Sequence, residues 1–412
     1  MKRSALLRVA AAVTAMLLGV TVSTACSSKA DTGSKGSGDV STDIGISGDT
    51  ITLGVLTDLT GVFAALGKDI TNGNALYWKS HKVCDKYAVK LDVQDTGYVP
   101  QQGVQLYSSI KSDILAMQQT IGSPINAALA KDYEADKIVN FPSAWGKTLT
   151  DIPGTGVPGA TYDIEMANGY DYLFSKGLIK EGDTVGHIYF EGEYGETGLA
   201  GTKFVAGKKN LKVVEAQIKA TDQDMSSQVS QFKARGVKAI VLTVAPGQTA
   251  SVAAAAQALG LDVPILGSNP VFAPALLQGP SGPWLKTHLY VAAPVSGFDK
   301  HPDVYDAYAK AFPDAKNPSL GVILGYGISE IMRQVLDAAC KDGNLTRQGV
   351  LDAFNGLKSV DTQGLLVPIQ SFTLHKSPST QSFILRPADV KGGAKIVEDA
   401  FEGAFAKELA AQ

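Results

Sequence analysis

From Ile51 onward the chain alternates short apolar runs with segments of helical periodicity, and it does so in two successive series. Residues 51–56, 89–93 and 114–117 read as strands, residues 68–81, 101–112 and 124–136 as helices, and a short strand is expected around Ile138. In the first helix the apolar residues Ile70, Ala75, Leu76 and Trp78 fall mostly on one side, as packing against a sheet requires. A Pro/Gly-rich crossing at residues 151–159 interrupts the series, and then the pattern restarts. Helices at 166–176, 198–208, 226–235 and 249–259 alternate with strands at 184–190, 212–216, 239–244 and 264–266. A helical region at 304–312 and a long helix at 322–341 follow a second Pro/Gly-marked stretch, 294–302. Alternation of this kind requires parallel sheets covered by helices on both faces, and two series make two α/β lobes.

The N-terminus carries Lys2, Arg3 and Arg8, an apolar stretch at 9–22, and small residues leading to Cys26, which is the pattern of an export signal. That stretch is short for a bilayer span, and no later segment approaches the roughly 20 uninterrupted apolar residues a membrane helix needs. Ser23-Thr24-Ala25-Cys26 resembles a lipobox, with Ser23 where Leu is usual. Residues 1–25 are therefore expected to be a signal peptide and Cys26 to be lipidated, the alternative being an ordinary cleaved signal with a chance Cys nearby. Residues 27–38 have almost no apolar side chain to repay the entropy of ordering, so 26–45 is expected to be a flexible tether.

Formal charge is −3 from 37 basic and 40 acidic residues, and −6 once Lys2, Arg3 and Arg8 leave with the signal. No Lys/Arg-rich run is present to neutralise phosphates, which argues against a nucleic-acid partner. Roughly 360 residues after the tether exceed what one core organises, again implying two lobes. Cys84 and Cys340 remain once Cys26 is assigned, and no Cys-x-x-Cys or clustered His accompanies them. In an oxidising compartment they read as a disulfide, with two buried free thiols as the alternative. The five His residues show no paired metal-ligand spacing, and no nucleophile elbow or phosphate-binding Gly-rich loop occurs. Catalysis, a metal and a cofactor are accordingly not expected.

Several segments, taken together and in order, resemble one family. They are Gly54-Val55-Leu56-Thr57-Asp58-Leu59-Thr60-Gly61 with Ala64-Ala65-Leu66-Gly67, then Gly122-Ser123, then Phe141-Pro142-Ser143-Ala144. Tyr194-Gly195-Glu196-Thr197-Gly198 and the stretches 232–241 and 256–261 complete the set. The chain from about Ile51 to Val390 resembles the type I periplasmic binding proteins of branched-chain amino acid ABC importers. The resemblance implies two Rossmann-like lobes joined by a three-crossing hinge, with residues 46–158 and 296–362 in the N-terminal lobe and 159–295 and 363–412 in the C-terminal lobe. It places Cys84 and Cys340 in the same lobe. It also implies a monomer on the outer face of the cytoplasmic membrane, binding a small molecule between its lobes and passing it to a permease and ATPase. A ligand-sensing partner of a membrane receptor would need the same fold and is the alternative; a secreted enzyme is the weaker one.

Ligands of such folds bind beyond the carboxyl ends of parallel strands, where helix N-termini offer free N–H groups. Ser123, at a strand-to-helix turn, is expected to help hold a carboxylate, or else simply to cap its helix. Ser143 and Trp145 match positions that complete this pocket, Tyr194 matches the second-lobe aromatic that covers the ligand, and Phe63 and Leu66 lie in the first ligand-side loop. At 267–270 the amino-acid-binding members look to carry an acid that pairs with an ammonium group, where this chain has Asn269. A neutral amide does not offset the desolvation of a full charge. The expected ligand is therefore either like a branched-chain amino acid or, because of Asn269, an ammonium-free carboxylate, amide or aromatic acid.

Overall fold

The computed structural model describes residues 40–412. The expected signal segment, Cys26 and most of the expected tether lie outside the described residues. The end of that tether does not: β1 (Ser41–Thr42) pairs in parallel with Asn344 and Leu345, and the Ser41 N–H donates to Gly343 O at 2.9 Å. Ordered structure thus starts before residue 45, because backbone pairing substitutes for the missing apolar side chains.

The first series builds one sheet. After the short antiparallel β2 (Ile46–Ser47) come β3 (Thr50–Thr57), α1 (Ala64–Ser80), β4 (Ala88–Asp95), α2 (Pro100–Ile110), β5 (Ala116–Ile121), α3 (Ser123–Asp136) and β6 (Asn140–Ser143). The parallel order is β4-β3-β5-β6, so the strand order reverses between β3 and β5. The expected third strand is displaced: it covers Gln118, Gln119 and Thr120, all fully buried. Trp78 Nε1 donates to Gln118 at 2.9 Å, Asn74 Nδ2 donates to Gln119 at 2.6 Å, and Gln119 Nε2 donates to Thr57 Oγ1 at 3.1 Å. Satisfied in this way, polar side chains are tolerated in a core strand.

The second series builds α4 (Tyr162–Ser175), β7 (Thr184–Phe190), α5 (Glu193–Lys209), β8 (Lys212–Ile218), α6 (Ser226–Ala234), β9 (Ala239–Thr243), α7 (Pro246–Leu259) and β10 (Ile265–Gly267). It continues with α8 (Gly282–His288) and β11 (Leu289–Ala293). The chain then returns to the first lobe with α9 (Pro302–Ala311), α10 (Gly321–Lys341), β12 (Asn344–Leu345) and α11 (Arg347–Gly356). It ends in β13 (Ser382–Pro387), β14 (Ala394–Phe401) and α12 (Ala404–Ala410). The second sheet runs β14-β13-β11-β10-β9-β7-β8, parallel from β11 to β8 with β13 and β14 added antiparallel. It is therefore a mixed sheet rather than the purely parallel one the alternation suggests. The third crossing also comes later than residue 362. Phe372 stacks on Phe354 at 5.1 Å and packs on Phe141 at 5.6 Å, so the segment after 362 still covers first-lobe elements before β13 joins the second sheet.

Helices α1 and α10 pack closely because glycines face backbone. A Cβ on Gly73 would lie 2.4 Å from Val322 O, and one on Gly325 would lie 2.0 Å from Ile70 O. Beyond α1, Cys84 meets Cys340 near the end of α10 as a disulfide with Cα atoms 6.5 Å apart, within bridging range.

His187 on β7 is buried in the second sheet, with Nε2 3.1 Å from Thr243 Oγ1 and no partner for Nδ1. Burial pushes it down from 6.5 to about 3. The unfolded chain takes up this proton as pH falls through 6.5 while the folded chain does not. The stability it contributes is therefore complete above 6.5 and lost as pH falls toward 3, at up to about 1.4 kcal/mol per pH unit. Urea melts across this range should show a shallower acid-side slope for His187→Gln than for the native chain.

Candidate ligand-binding site

The carboxyl ends of β3, β5 and β6 and the loop before α2 face those of β7, β10 and β11 across a cavity of about 870 Å3, counted out to its mouth. Phe63, Leu66, Ser123, Ser143, Trp145, Tyr194 and Asn269, singled out in the sequence, all line it.

Ser123 is the first residue of α3 and is 1% exposed; Ser143 ends β6 and is 6% exposed. Neither hydroxyl has a hydrogen-bond partner among the described residues. Ser123 makes no side-chain cap bond; the capping position belongs to Gly122, at φ 93°. A Cβ there would sit 2.6 Å from the ring of Tyr98, so glycine is what lets that ring lie over the turn. Two orphaned hydroxyls beside the free N–H groups of a helix start are donors of the kind that an anionic group accepts from.

Aromatic rings surround this end. Phe63 lies 4.8 Å from Tyr98 and, across the lobes, 6.3 Å from Tyr194; Tyr162 lies 4.6 Å from Tyr194 and 5.9 Å from Trp145. Trp145 Nε1 donates to Pro158 O at 3.3 Å, which fixes the indole as a wall. Tyr194 donates to Val244 O at 3.0 Å and lies 2.8 Å from Ser268 Oγ, so its hydroxyl is committed within the second lobe. Burial holds Tyr98 and Tyr162 well above the ordinary tyrosine range, leaving their phenols protonated as donors. Near this end Glu193 Oε1 accepts from the Thr148 N–H at 2.9 Å, and Thr197 Oγ1 accepts from the Lys147 N–H at 3.2 Å.

Asn269 lies beside a carboxylate that was not singled out in the sequence. Glu165, 0% exposed on α4, accepts from Asn269 Nδ2 at 3.0 and 3.2 Å, and burial pushes its carboxyl well above the ordinary glutamate range. Both of its oxygens are engaged by the Asn269 amide, and Glu165 is not among the residues that line the cavity. The rest of the lining is apolar: Leu66, Ile70, Leu320 and Leu324 from α1 and the start of α10 face Val291, Val295, Leu385 and Ala394. Ser319, also in the lining, is already bound to Asp69 at 2.7 Å. Apart from Leu66, this apolar wall was missed in the sequence because it comes from segments far apart in the chain and individually read as core. Among the described residues no group of three or more His, Cys, Asp or Glu side chains could hold a metal, and no helix is long and apolar enough to cross a membrane.

Two α/β lobes with parallel-dominated sheets around a cavity between strand ends define a type I periplasmic binding protein. The chain belongs to the periplasmic binding protein family, whose model matches residues 50–394. A solved fatty acid ABC transporter substrate-binding protein from Thermomonospora curvata is similar at 38% identity and TM-score 0.86, over 90% of this chain and 97% of that one. A branched chain amino acid ABC transporter protein from Thermus thermophilus with bound valine shares the fold at 16% identity and TM-score 0.78, over 89% and 100%. A solute binding protein from Rhodopseudomonas palustris BisB5, in complex with 3,4-dihydroxy benzoic acid, does so at 19% and 0.71, over 86% and 98%. Comparison with curated proteins gives no match. The chain is thus a solute-binding protein of an ABC transporter, in an extracytoplasmic family that binds small molecules and delivers them to a permease and ATPase.

Proposed function

We propose that the chain, anchored through a lipid on Cys26, captures an apolar-chain monocarboxylate of the fatty-acid class and presents it to its importer. The observation that carries this reading is the pairing of two unpartnered, buried serine hydroxyls with a wall that is otherwise apolar. In this reading the carboxylate sits at Ser123 and Ser143, with the α3 N–H groups and the phenols of Tyr98 and Tyr162 as further donors. Hydrogen bonds to an ionised group are the strong ones. The chain lies along Leu66, Ile70, Leu320 and Leu324, where each buried methylene contributes about 0.8 kcal/mol. The similarity to the Thermomonospora curvata protein supports the same class. Leu, Ile and Val fit poorly, because Asn269 engages both oxygens of Glu165 and that carboxyl group does not line the cavity.

Thermal shift and titration calorimetry on delipidated protein test this. Dodecanoate is expected to raise the melting temperature, by an amount equivalent to about 2.7 kcal/mol at a hundredfold excess over Kd, and valine to leave it unmoved. Stabilisation by valine and not by dodecanoate would restore the amino-acid reading. Stabilisation by benzoates alone would assign the aromatic wall to an aryl acid.

A further inference from the structure

A second, solvent-open pocket adjoins the first on the far side of the β13–β14 turn, and the two share Pro274 and Gly392 as lining. We infer that this second pocket receives the terminal part of long acyl chains, which pass between Pro274, Leu320 and Gly392 and leave the first cavity open-ended. The inference rests on the fatty-acid reading and deepens it.

Gly392 adds no side chain to the shared wall, and it packs against Leu320 and Phe298. Gly392 has φ +83°, and a Cβ there would lie 2.6 Å from Leu320 Cδ2; Gly393 has φ +71°, and a Cβ there would lie 2.7 Å from Pro274 Cβ. Backbone therefore presses directly on Leu320 and Pro274, and the barrier is a leucine side chain, which can change rotamer, against a bare glycine. The turn is tied to its surroundings by exposed ion pairs, Lys286 with Asp389 and Lys391 with Asp306. Such pairs hold little. Beyond the wall, Leu277, Tyr305, Pro318 and Val390 give apolar surface, and Gln278, Asn317, Asp389 and Lys391 are more polar. The surface there is more polar than apolar, so an alkyl terminus gains only where it meets Leu277, Pro318 and Val390, and it needs no hydrogen-bond partner to pass.

An open-ended site and a closed one respond differently to chain length. Kd for a series from octanoate to docosanoate, read by displacement of a fluorescent fatty acid, is expected to fall about fourfold per methylene while the first cavity fills and then to level off. Val390→Asp, at an exposed turn position outside the first cavity, is expected to weaken docosanoate about tenfold and leave octanoate unchanged; Leu277→Gln is a second variant with the same expectation. A tenfold or steeper rise in Kd beyond one chain length, or equal effects of both variants on short and long acids, would overturn the open end while leaving the fatty-acid reading in place. Failure of every acid to bind the native chain would overturn both.

Discussion

The double variant Ser123→Ala, Ser143→Ala is expected to lose carboxylate binding without losing stability. Each hydroxyl would give an ionised head group a hydrogen bond worth about 1.5–3 kcal/mol, so removing both weakens dodecanoate binding at least about a hundredfold. In most buried sites removing a polar group leaves its partner stranded. Here neither hydroxyl has a partner among the described residues, so the ligand-free variant should melt no lower than the native chain. Calorimetric titration gives the first quantity and a thermal melt the second. A marked fall in melting temperature with unchanged affinity would make the serines structural and remove the head-group site. The corresponding alcohol, dodecanol, separates the contributions further: it keeps the chain contacts, so the double substitution should affect its binding far less than that of the acid.

The second large effect concerns Cys84 and Cys340. Their bond closes a loop with a sequence separation of 256, tying the end of α10 to the segment after α1. Replacing both with Ser is expected to lower the unfolding free energy by about 2–4 kcal/mol. Loop length alone would suggest more, but α1 and α10 already pack tightly through Gly73 and Gly325, so the crosslink adds to an existing contact. Urea melts of the oxidised native chain and the double variant give the difference, and intact mass under non-reducing conditions reports the bond itself. Ligand affinity should be unchanged, because the bond lies at the opposite end of α10 from the cavity.

The two-lobe architecture was legible because short apolar runs and helical periodicity alternate in order; the expected strand at 184–190 coincides with β7. What was not legible has identifiable causes. Strand β5 reads as polar at Gln118, Gln119 and Thr120, and only the facing Trp78, Asn74 and Thr57 explain its burial. Strands β13 and β14 lack a helical partner in sequence, so the alternation that marked the other elements did not reach them. At the site, Gly122-Ser123 and Tyr194 stood out because the short motifs around them resemble those of the family. Glu165 did not: it looks like an ordinary acid in the first turn of a helix until the fold brings Asn269 against it. Tyr98 was hidden for a similar reason, since its place over Gly122 depends on the packing of two loops from different strands.

The pairing of β1 with β12 decides where mechanical load enters the molecule. At its start, α10 carries Leu320 and Leu324 into the cavity; past its end, Asn344 and Leu345 hold Ser41 and Thr42. Its 21 residues span about 30 Å. Whatever restrains the chain by its N-terminus therefore pulls on the base of the first lobe, beside the Cys84–Cys340 crosslink, with a full helix length between the point of attachment and the cavity. Neither the second sheet nor the crossings between the lobes lie on that line of force. A restraint applied at the N-terminus would thus bear on the first lobe alone.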